Sequence, residues 1–238
     1  MPEVAKEQQA LDLYAKVEDL LGVKDAAPDL YAYYFRFLDR TGFDSLLDVG
    51  CGSGDFLLEL ARRFPAKRVK GIDLSPVMVE SSRQKGLDVQ AVDLCDISDS
   101  FDLLTTVFDM LNYLDRRALK RFLSCVDEIV ESGGYFLCDI NTLYGFEVIS
   151  VGSYIVDDGN RFLTVDGEYG DLLYESFFTL FERSNETCFR KSEATIRQYY
   201  HTAEEIGTLL PNMKLLREES VTLYGEKPDK HFLVFQKN

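Results

Sequence analysis

The chain has 238 residues and a formal net charge of −15, with 41 acidic and 26 basic residues. Proteins that hold RNA or DNA neutralise phosphates with Lys and Arg, so this balance argues against a nucleic-acid partner. No run approaches the roughly 20 apolar residues of a membrane span, and the first residues lack the pattern of a signal peptide.

The five cysteines are an odd number and show no C-x-x-C spacing. A chain of this length can bury a substantial core without disulfides. We therefore expect free cysteines, no metal site and a reducing, cytoplasmic location. The cysteines are Cys51, Cys95, Cys125, Cys138 and Cys188.

Residues 3–40 have the periodicity of two helices. The first places Leu11, Tyr14, Val17 and Leu21 on one face. The second, after Pro28, is rich in aromatic residues. We expect one stripe of it to pack on a sheet, formed by Tyr31, Tyr34, Phe35 and Leu38. Tyr33 and Phe37 would then point elsewhere and could roof a ligand.

The next segment joins a strand to a helix through three glycines. Ser45–Leu47 is typical of a buried strand, and an apolar helical pattern begins at Phe56. Between them, Gly50, Gly52 and Gly54 let the turn tighten and let a ligand lie against the backbone. Amide N–H groups at the start of the helix would face that ligand. This unit is typical of a nucleotide-type binding site.

Three further strands follow, and an acid stands at or just after the end of each. Asp73 ends the second strand, Asp93 ends the third, and Asp109 follows the fourth. Helical patterns at 54–64, 76–85 and 115–131 separate strands that end near 49, 73, 92, 107 and 140. This alternation predicts an α/β fold: a doubly wound, mostly parallel, Rossmann-like sheet of seven strands.

The alternation stops near residue 145. Residues 145–200 have strand-like composition with Asp-Gly turns, which predicts an inserted antiparallel β lid. Thr202 then begins a capping box for a helix through Leu210, and residues 213–223 and 231–236 predict a closing hairpin. We divide the chain into N-terminal helices (1–43), an α/β core (44–144 and 201–238) and the insertion (145–200).

The segment Asp48-Val49-Gly50-Cys51-Gly52-Ser53-Gly54 resembles the first motif of the class I S-adenosylmethionine-dependent methyltransferases, in the small-molecule type with a β insertion after the fifth strand. The resemblance implies an S-adenosyl-L-methionine cofactor, with Asp73 on the ribose and Asp93 on the adenine side. That subgroup often has a Tyr-Asp pair in its first helix, where Val17-Glu18 stands here, so Tyr14 is the expected substitute. The cofactor-binding set is Asp48, Gly50, Cys51, Gly52, Gly54, Asp73, Leu74, Asp93, Leu94, Phe108 and Tyr14.

Three of these residues also have a structural alternative. Asp73 could cap the helix that follows it, although Ser75 is the better cap. Asp93 could be a surface acid, and Cys51 is expected to be a small residue packed in the turn.

The catalytic candidates are Asp109, Tyr113 and His201. The resemblance places residues 107–114 between methyl donor and acceptor, so Asp109 and Tyr113 would contact the acceptor. They could instead cap the following loop and fill the core. His201 stands at the exit of the insertion, where it could reach the pocket or remain a surface residue.

The sequence thus predicts methyl transfer to N or O of a small molecule, by in-line displacement in a pocket under the insertion. Alternatives are a protein or RNA methyltransferase, and a non-catalytic S-adenosylmethionine-binding regulatory protein. We expect a small-molecule substrate and no nucleic-acid or membrane partner, and we leave a homodimer open.

Overall fold

The computed structural model describes residues 2–238, with side chains from residue 10 onward. Seven helices and eleven strands follow one another along the chain. The helices are α1 (Pro2–Val17), α2 (Val23–Leu38), α3 (Asp55–Arg63), α4 (Pro76–Gln84), α5 (Arg116–Ile129), α6 (Leu143–Ile149) and α7 (Ala203–Leu209). The strands are β1 (Ser45–Val49), β2 (Arg68–Asp73), β3 (Val89–Ala91), β4 (Phe101–Thr106), β5 (Val130–Asn141), β6 (Ser153–Asp157), β7 (Arg161–Gly170), β8 (Leu173–Arg183), β9 (Phe189–Tyr199), β10 (Met213–Val221) and β11 (Lys230–Lys237). Short 3₁₀ segments lie at Glu18–Leu20, Leu94–Asp96 and Met110–Tyr113.

The main sheet has seven strands in the order β10-β11-β5-β4-β1-β2-β3. Strands β1 to β5 pair in parallel, while β11 is antiparallel to β5 and β10 to β11. The predicted mostly parallel, doubly wound sheet is confirmed. Because β1 lies between β2 and β4, the strand order reverses at β1 and β4. Ligands of such sheets bind at the carboxyl ends of the strands at this reversal.

Helices cover both faces of the main sheet. Helices α2, α3 and α4 pack on one face, and α5 and α7 pack on the other. In α5 the buried positions recur every three or four residues, which is why this segment forms a helix with one apolar stripe. The stripe is Leu119, Leu123, Val126 and Ile129.

The aromatic helix α2 is rotated from the predicted orientation. Tyr34 and Leu38 are buried as expected, but Leu30 and Phe37 complete the stripe. The prediction that Phe37 could roof a ligand is wrong, because its ring packs edge-on against Tyr135 with centroids 5.2 Å apart. Tyr33 packs on Phe232, and its hydroxyl lies 3.4 Å from the Ser220 carbonyl, away from the glycine turn.

The insertion is a separate four-stranded antiparallel sheet in the order β6-β7-β8-β9. It begins at Ser153, because helix α6 occupies residues 143–149, which the sequence analysis did not predict. The first Asp-Gly turn is confirmed at Asp158, but Gly167 does not turn and lies inside β7. The chain instead reverses at Asp171 and Leu172, both with positive φ, as a two-residue hairpin requires.

Helix α1 packs on one face of this inserted sheet. Leu13 and Val17 join Leu163, Phe178 and Leu180 in a buried cluster. The N-terminal helix and the insertion therefore share one core, beside that of the main sheet.

The expectation of only free cysteines is wrong. Cys95, in the 3₁₀ segment after β3, forms a disulfide with Cys125 on α5, with Cα atoms 5.3 Å apart. The packing of this segment on α5 brings together two cysteines 30 positions apart, which sequence spacing could not show. Cysteine usage therefore no longer supports a reducing compartment. Among residues 2–238, no helix has the length and apolarity to cross a membrane.

Candidate functional site

The glycine turn connects β1 to α3 at the carboxyl end of the sheet. All three glycines have positive φ, at 71°, 54° and 81° for Gly50, Gly52 and Gly54. A Cβ on Gly54 would lie 2.6 Å from the Ser82 hydroxyl, so internal packing requires this glycine. A Cβ on Gly52 would meet only the Glu18 carboxylate, at 3.9 Å. Gly52 is therefore the point where a ligand can approach the backbone.

Side chains from β2 and α4 hold this turn in place. Asp73 accepts hydrogen bonds from the Gly52 amide at 2.9 Å and the Ser75 amide at 2.8 Å. The Ser82 hydroxyl donates to the Gly52 carbonyl at 2.9 Å, and the Lys85 ammonium donates to the Ser53 carbonyl at 2.7 Å. The turn is therefore fixed before any ligand binds. Asp73 lies beside the turn, at the end of β2.

Asp48 and Cys51 are buried at the base of the turn. The Thr105 hydroxyl donates to Asp48 at 2.7 Å. Burial raises the pKa of Asp48 to about 7, Thr105 opposes the rise, and the charge of Asp73 adds to it. Burial also raises the pKa of the Cys51 thiol, which lies close to Gly71. The Cys51 thiol is thus neutral and packed in the turn, which is the structural alternative expected from the sequence.

The residues predicted for the adenine side differ in how far their side chains are exposed to a ligand. Leu74 is 58% exposed beside Asp73, which is unusual for a leucine next to a core strand. Leu94 is buried in the core, so its side chain faces away from solvent. Asp93 accepts from the Cys95 amide at 2.9 Å and pairs with Arg121 at 3.0 Å. The adenine-side role of Asp93 stays a prediction.

Glu18 lies across the open side of the turn. Burial raises its pKa, and a hydrogen bond from Ser53 opposes the rise. Tyr14 stands nearby on α1, with its ring edge-on to Phe178 at 6.4 Å. Glu18 is the side chain that faces Gly52. The role of Tyr14 toward the methyl donor stays a prediction.

A strained turn follows β4 on the other side of β1. Phe108 and Asp109 both adopt the left-handed region, with φ of 59° and 49°. Asp139, at the end of β5, accepts from the amides of both residues at 2.8 Å. The Tyr34 hydroxyl lies 2.7 Å from the same carboxylate. Left-handed conformations of non-glycine residues persist where surrounding contacts enforce them, and they concentrate at functional sites.

A buried lysine completes this cluster. Lys230 at the start of β11 is 2% exposed, and its ammonium contacts Asp109, Asp139 at 3.3 Å and Asn141 at 2.8 Å. Burial favours a lower pKa for Lys230, but the charges of the two aspartates outweigh it and raise the pKa. Burial raises the pKa of Asp139, and Lys230 opposes this. Gln198 from β9 donates to the second oxygen of Asp109. Sequence analysis missed Lys230, Asp139 and Gln198.

The charge of Asp109 acts on three tyrosines, Tyr14, Tyr113 and Tyr224. Burial raises the pKa values of Tyr14 and Tyr113, and the charge of Asp109 adds to both. The pKa of Tyr224 rises to about 12, first through burial, against the effect of Lys230 and with that of Asp109. These tyrosines are therefore neutral hydroxyls near Asp109. The roles of Asp109 and Tyr113 toward an acceptor stay predictions.

His201 is buried and held in place. Its Nε2 lies 2.9 Å from the Leu114 carbonyl, and its Nδ1 lies 3.7 Å from the Glu205 carboxylate. The expectation that it could be a surface residue is wrong, because the loop after β9 folds it against the segment after β4. Through these contacts His201 connects the end of the insertion to the segment after β4 and to α7.

A hollow of about 340 Å³ lies on the insertion, lined in part by Arg161, Arg183 and Phe189. It contains none of the predicted site residues. In the described part of the chain, no group of three or more His, Cys, Asp or Glu side chains has the arrangement of a metal site.

Residues 46–134 match a family model described as a methyltransferase domain. A demethylmenaquinone methyltransferase of Symbiobacterium thermophilum is 30% identical over 151 residues, which are 56% of this chain and 59% of the relative. A trans-aconitate 2-methyltransferase of Rhodococcus jostii is 41% identical over 66 residues, 26% of each chain. The chain spans about half, or less, of the length of the curated relatives it matches.

Solved structures share the fold over nearly the whole chain. An S-adenosylmethionine-dependent methyltransferase from Clostridium acetobutylicum superposes with a TM-score of 0.77, at 21% identity, covering 95% of this chain and 99% of the other. The sugar N-methyltransferase KedS8 from Streptoalloteichus gives 0.74 at 21% identity, covering 95% and 92%. CalS10 from Micromonospora echinaspora, an amino pentose methyltransferase with bound S-adenosylmethionine, gives 0.61 at 20%, covering 99% and 96%.

The sheet order, the glycine turn at the β1 end and the matched segment agree: residues 46–134 match a methyltransferase domain, and the chain has the fold of solved S-adenosylmethionine-dependent methyltransferases.

Proposed function

We propose that the protein transfers a methyl group from S-adenosylmethionine to N or O of a small molecule. One observation carries the proposal. The open glycine turn after β1 and the strained turn at Phe108 and Asp109 after β4 lie at the ends of adjacent parallel strands. A methyl donor on the first turn and an acceptor at the second would be neighbours at the reversal of strand order.

The residues at the first turn fit the cofactor. Gly52 leaves its backbone open, Asp73 stands beside it, and Leu74 offers an exposed apolar surface. We assign Asp73 to the ribose, Leu74 and Asp93 to the adenine side, and Gly50 and Gly52 to the amino-acid portion. Because Met110 lies over Gly50, its side chain would move or pack against that portion.

When bound, S-adenosylmethionine supplies an electrophilic methyl group on a sulfonium, and the carbon–sulfur bond breaks with its electron pair going to sulfur. The chain's task is to hold the acceptor in line and to exclude water. We assign Asp109 and Tyr113 to hydrogen bonds with the acceptor. The acceptor's lone pair forms the new bond, and its N–H or O–H proton leaves, with Asp109 within reach of it.

The pocket is proposed to lie under the 145–200 insertion. Two contacts support this position. Gln198 on β9 donates to Asp109, and the Tyr199 carbonyl accepts from Asn112 at 2.7 Å. The last strand of the insertion is thus attached to the acceptor-side segment, and α1 joins the insertion through the cluster with Phe178.

The relatives support a small-molecule acceptor but differ in which one. Those found include a sugar N-methyltransferase, an amino pentose methyltransferase and enzymes named for trans-aconitate and demethylmenaquinone. The acceptor atom therefore stays open between nitrogen and oxygen.

Charge supports the absence of a nucleic-acid partner. With 41 acidic against 26 basic residues, the surface repels polyanions. We expect no salt-sensitive retention of RNA or duplex DNA in a filter assay near physiological ionic strength. Tight, salt-sensitive RNA retention would instead favour an RNA methyltransferase.

The direct test is calorimetry with S-adenosylmethionine and S-adenosylhomocysteine, followed by a screen of small amines, hydroxyl compounds and carboxylic acids for methylated products by mass spectrometry. Binding with turnover supports the proposal. Binding without any methylated product favours a non-catalytic S-adenosylmethionine-binding protein. Absence of binding overturns the assignment of the glycine turn.

A further inference from the structure

Lys230 has an unusual environment for a lysine. It is 2% exposed, and its three nearest acceptors are Asp109, Asp139 and Asn141. The ammonium donates hydrogen bonds to Asp109 and Asn141 and forms an ion pair with Asp139. Because it is enclosed at 2% exposure, Lys230 is not placed to bind a substrate directly. Whatever it does for the site, it does through its neighbours.

Its neighbours are two aspartates that need a shared cation. Asp139 is fully buried, and Asp109 has a side chain only 14% exposed. Two desolvated carboxylates close together repel each other, and burial disfavours both charges. Lys230 lies between them and offsets both effects. Without it, we expect Asp109 to move toward solvent, away from Asp139.

The position of Asp109 is also set by its backbone. Phe108 and Asp109 are both left-handed, and Asp139 holds that turn by accepting from both amides. Lys230 keeps Asp139 in place as well as Asp109. The lysine thus supports the strained turn and the carboxylate that the turn presents.

The orientation of the Asp109 carboxylate is fixed from two sides. Lys230 binds one oxygen and Gln198 donates to the other. Each oxygen can still accept a further hydrogen bond. The carboxylate is therefore held as an acceptor of hydrogen bonds at a defined place.

We propose that Lys230 is a positioning residue for acceptor binding: it holds the Asp109 carboxylate, in its left-handed turn, toward the acceptor. This inference rests on the proposed methyl transfer. Lys230 would not touch cofactor or acceptor. Its removal should therefore change acceptor kinetics while leaving the donor side unaffected.

The test uses the full chain with Lys230→Met, Asp109→Asn and the double variant. Lys237→Met is the matched control, since Lys237 is also on β11 but contacts the Asp127 and Val130 carbonyls. We expect S-adenosylhomocysteine affinity within threefold of the wild type in all folded variants. With an acceptor found in the screen, kcat/KM should fall at least 30-fold for Lys230→Met and less than threefold for Lys237→Met.

The double variant decides whether Lys230 acts through Asp109. If it does, Lys230→Met adds little in the Asp109→Asn background, so the two losses are strongly non-additive. The double variant also removes one charge of each sign, which keeps the test available if Lys230→Met alone does not fold. Additive losses, or kcat/KM retained within threefold in folded Lys230→Met, would overturn the proposal.

Hydrogen exchange separates this inference from the proposed function. Faster amide exchange at 108–113 is expected in Lys230→Met and not in Lys237→Met, whether or not an acceptor is known. If the wild type methylates nothing but this difference appears, the proposed function fails and the positioning of Asp109 by Lys230 stands. Equal exchange in the two variants would overturn the positioning role.

Discussion

The two sides of the candidate site are built from different kinds of contact. On the proposed donor side, the glycine turn and its supports lie within residues 48–85, where Asp73 accepts a hydrogen bond from the turn and Ser82 and Lys85 donate to it. The acceptor side brings together residues far apart in the chain, Tyr34, Asp109, Asp139, Gln198 and Lys230. The first is a local motif, whereas the second exists only once the sheet and its insertion have assembled.

The two sides also differ in charge. At the donor side the buried carboxylate of Asp48 is paired with a hydroxyl, and ligand access is through open backbone at Gly52. At the acceptor side two buried carboxylates share the ammonium of Lys230. Substitutions should therefore act mainly on cofactor affinity at the donor side, and mainly on stability or acceptor kinetics at the acceptor side.

The largest expected effect is on the acceptor side. Asp139→Ala removes the acceptor of two strained amides and one partner of buried Lys230. Breaking a buried ion pair from one side costs about 3–5 kcal/mol of unfolding free energy. Urea denaturation measures it. Asp102→Ala is the control, because Asp102 also accepts from two backbone amides but is less buried. Equal losses in the two variants would contradict the role of burial.

The next effect is on the donor side. Gly52→Val places a branched side chain in the space left for the ligand, at a φ of 54°. We expect at least a hundredfold loss of S-adenosylhomocysteine affinity, about 3 kcal/mol, by calorimetry. Gly133→Val is a matched control, since Gly133 has a φ of 79° and open space around its Cβ but lies near the start of β5, at the opposite edge of the parallel strands from the turn. It should lose stability and keep affinity. If folded Gly52→Val binds S-adenosylhomocysteine as the wild type does, the glycine turn is not part of the cofactor site.

A smaller loss is expected from Asp73→Ala. Losing hydrogen bonds to a charged group should weaken S-adenosylhomocysteine binding by about 1–3 kcal/mol. Asp73 also braces the turn through the Gly52 and Ser75 amides, so the affinity loss alone does not prove a ribose contact. The variant should therefore affect S-adenosylhomocysteine more than its 2′-deoxyribose analogue. Equal losses for both ligands would leave Asp73 with the bracing role alone, and exposed Asp88→Ala should change neither.

The contrast between the two sides explains what the sequence could predict. The strand, the three glycines and Asp73 are close in the chain, and their spacing carries the local geometry. The alternation of strands and helices likewise predicted the seven-stranded sheet, because each element needs only its own apolar pattern. Asp109 was identified from its place after β4.

The acceptor-side partners lacked such a signal. Lys230 begins a strand in a polar stretch, and nothing nearby in the sequence shows that it is buried against Asp139. The Cys95–Cys125 disulfide was missed for the same reason, since it depends on how one segment packs on α5. Phe37 was misplaced because several aromatic stripes fit the same helix, and packing on Tyr135 selects one.

The smallest expected effect concerns pH and the buried carboxylate of Asp48, which has a hydroxyl partner where Asp139 has a lysine. The pKa of Asp48 is about 7 in the folded state, above the value of about 4 for an unfolded aspartate. The folded state then binds more protons, so the unfolding free energy falls as pH rises through this window and stays lower above it. Between pH 6 and 8 the loss of unfolding free energy should be about 1.4 kcal/mol, and Asp48→Asn should abolish it.

Urea denaturation of the apo protein at both pH values measures the stability gained by Asp48→Asn, which should be larger at pH 8. Asp102→Asn is the control, because the pKa of Asp102 is lowered by its amide hydrogen bonds against partial burial, and its effect should be constant over this range. An Asp48→Asn effect that is equal at pH 6 and pH 8 would show that Asp48 is ionised in the folded protein, and that the donor side, like the acceptor side, supports a buried negative charge.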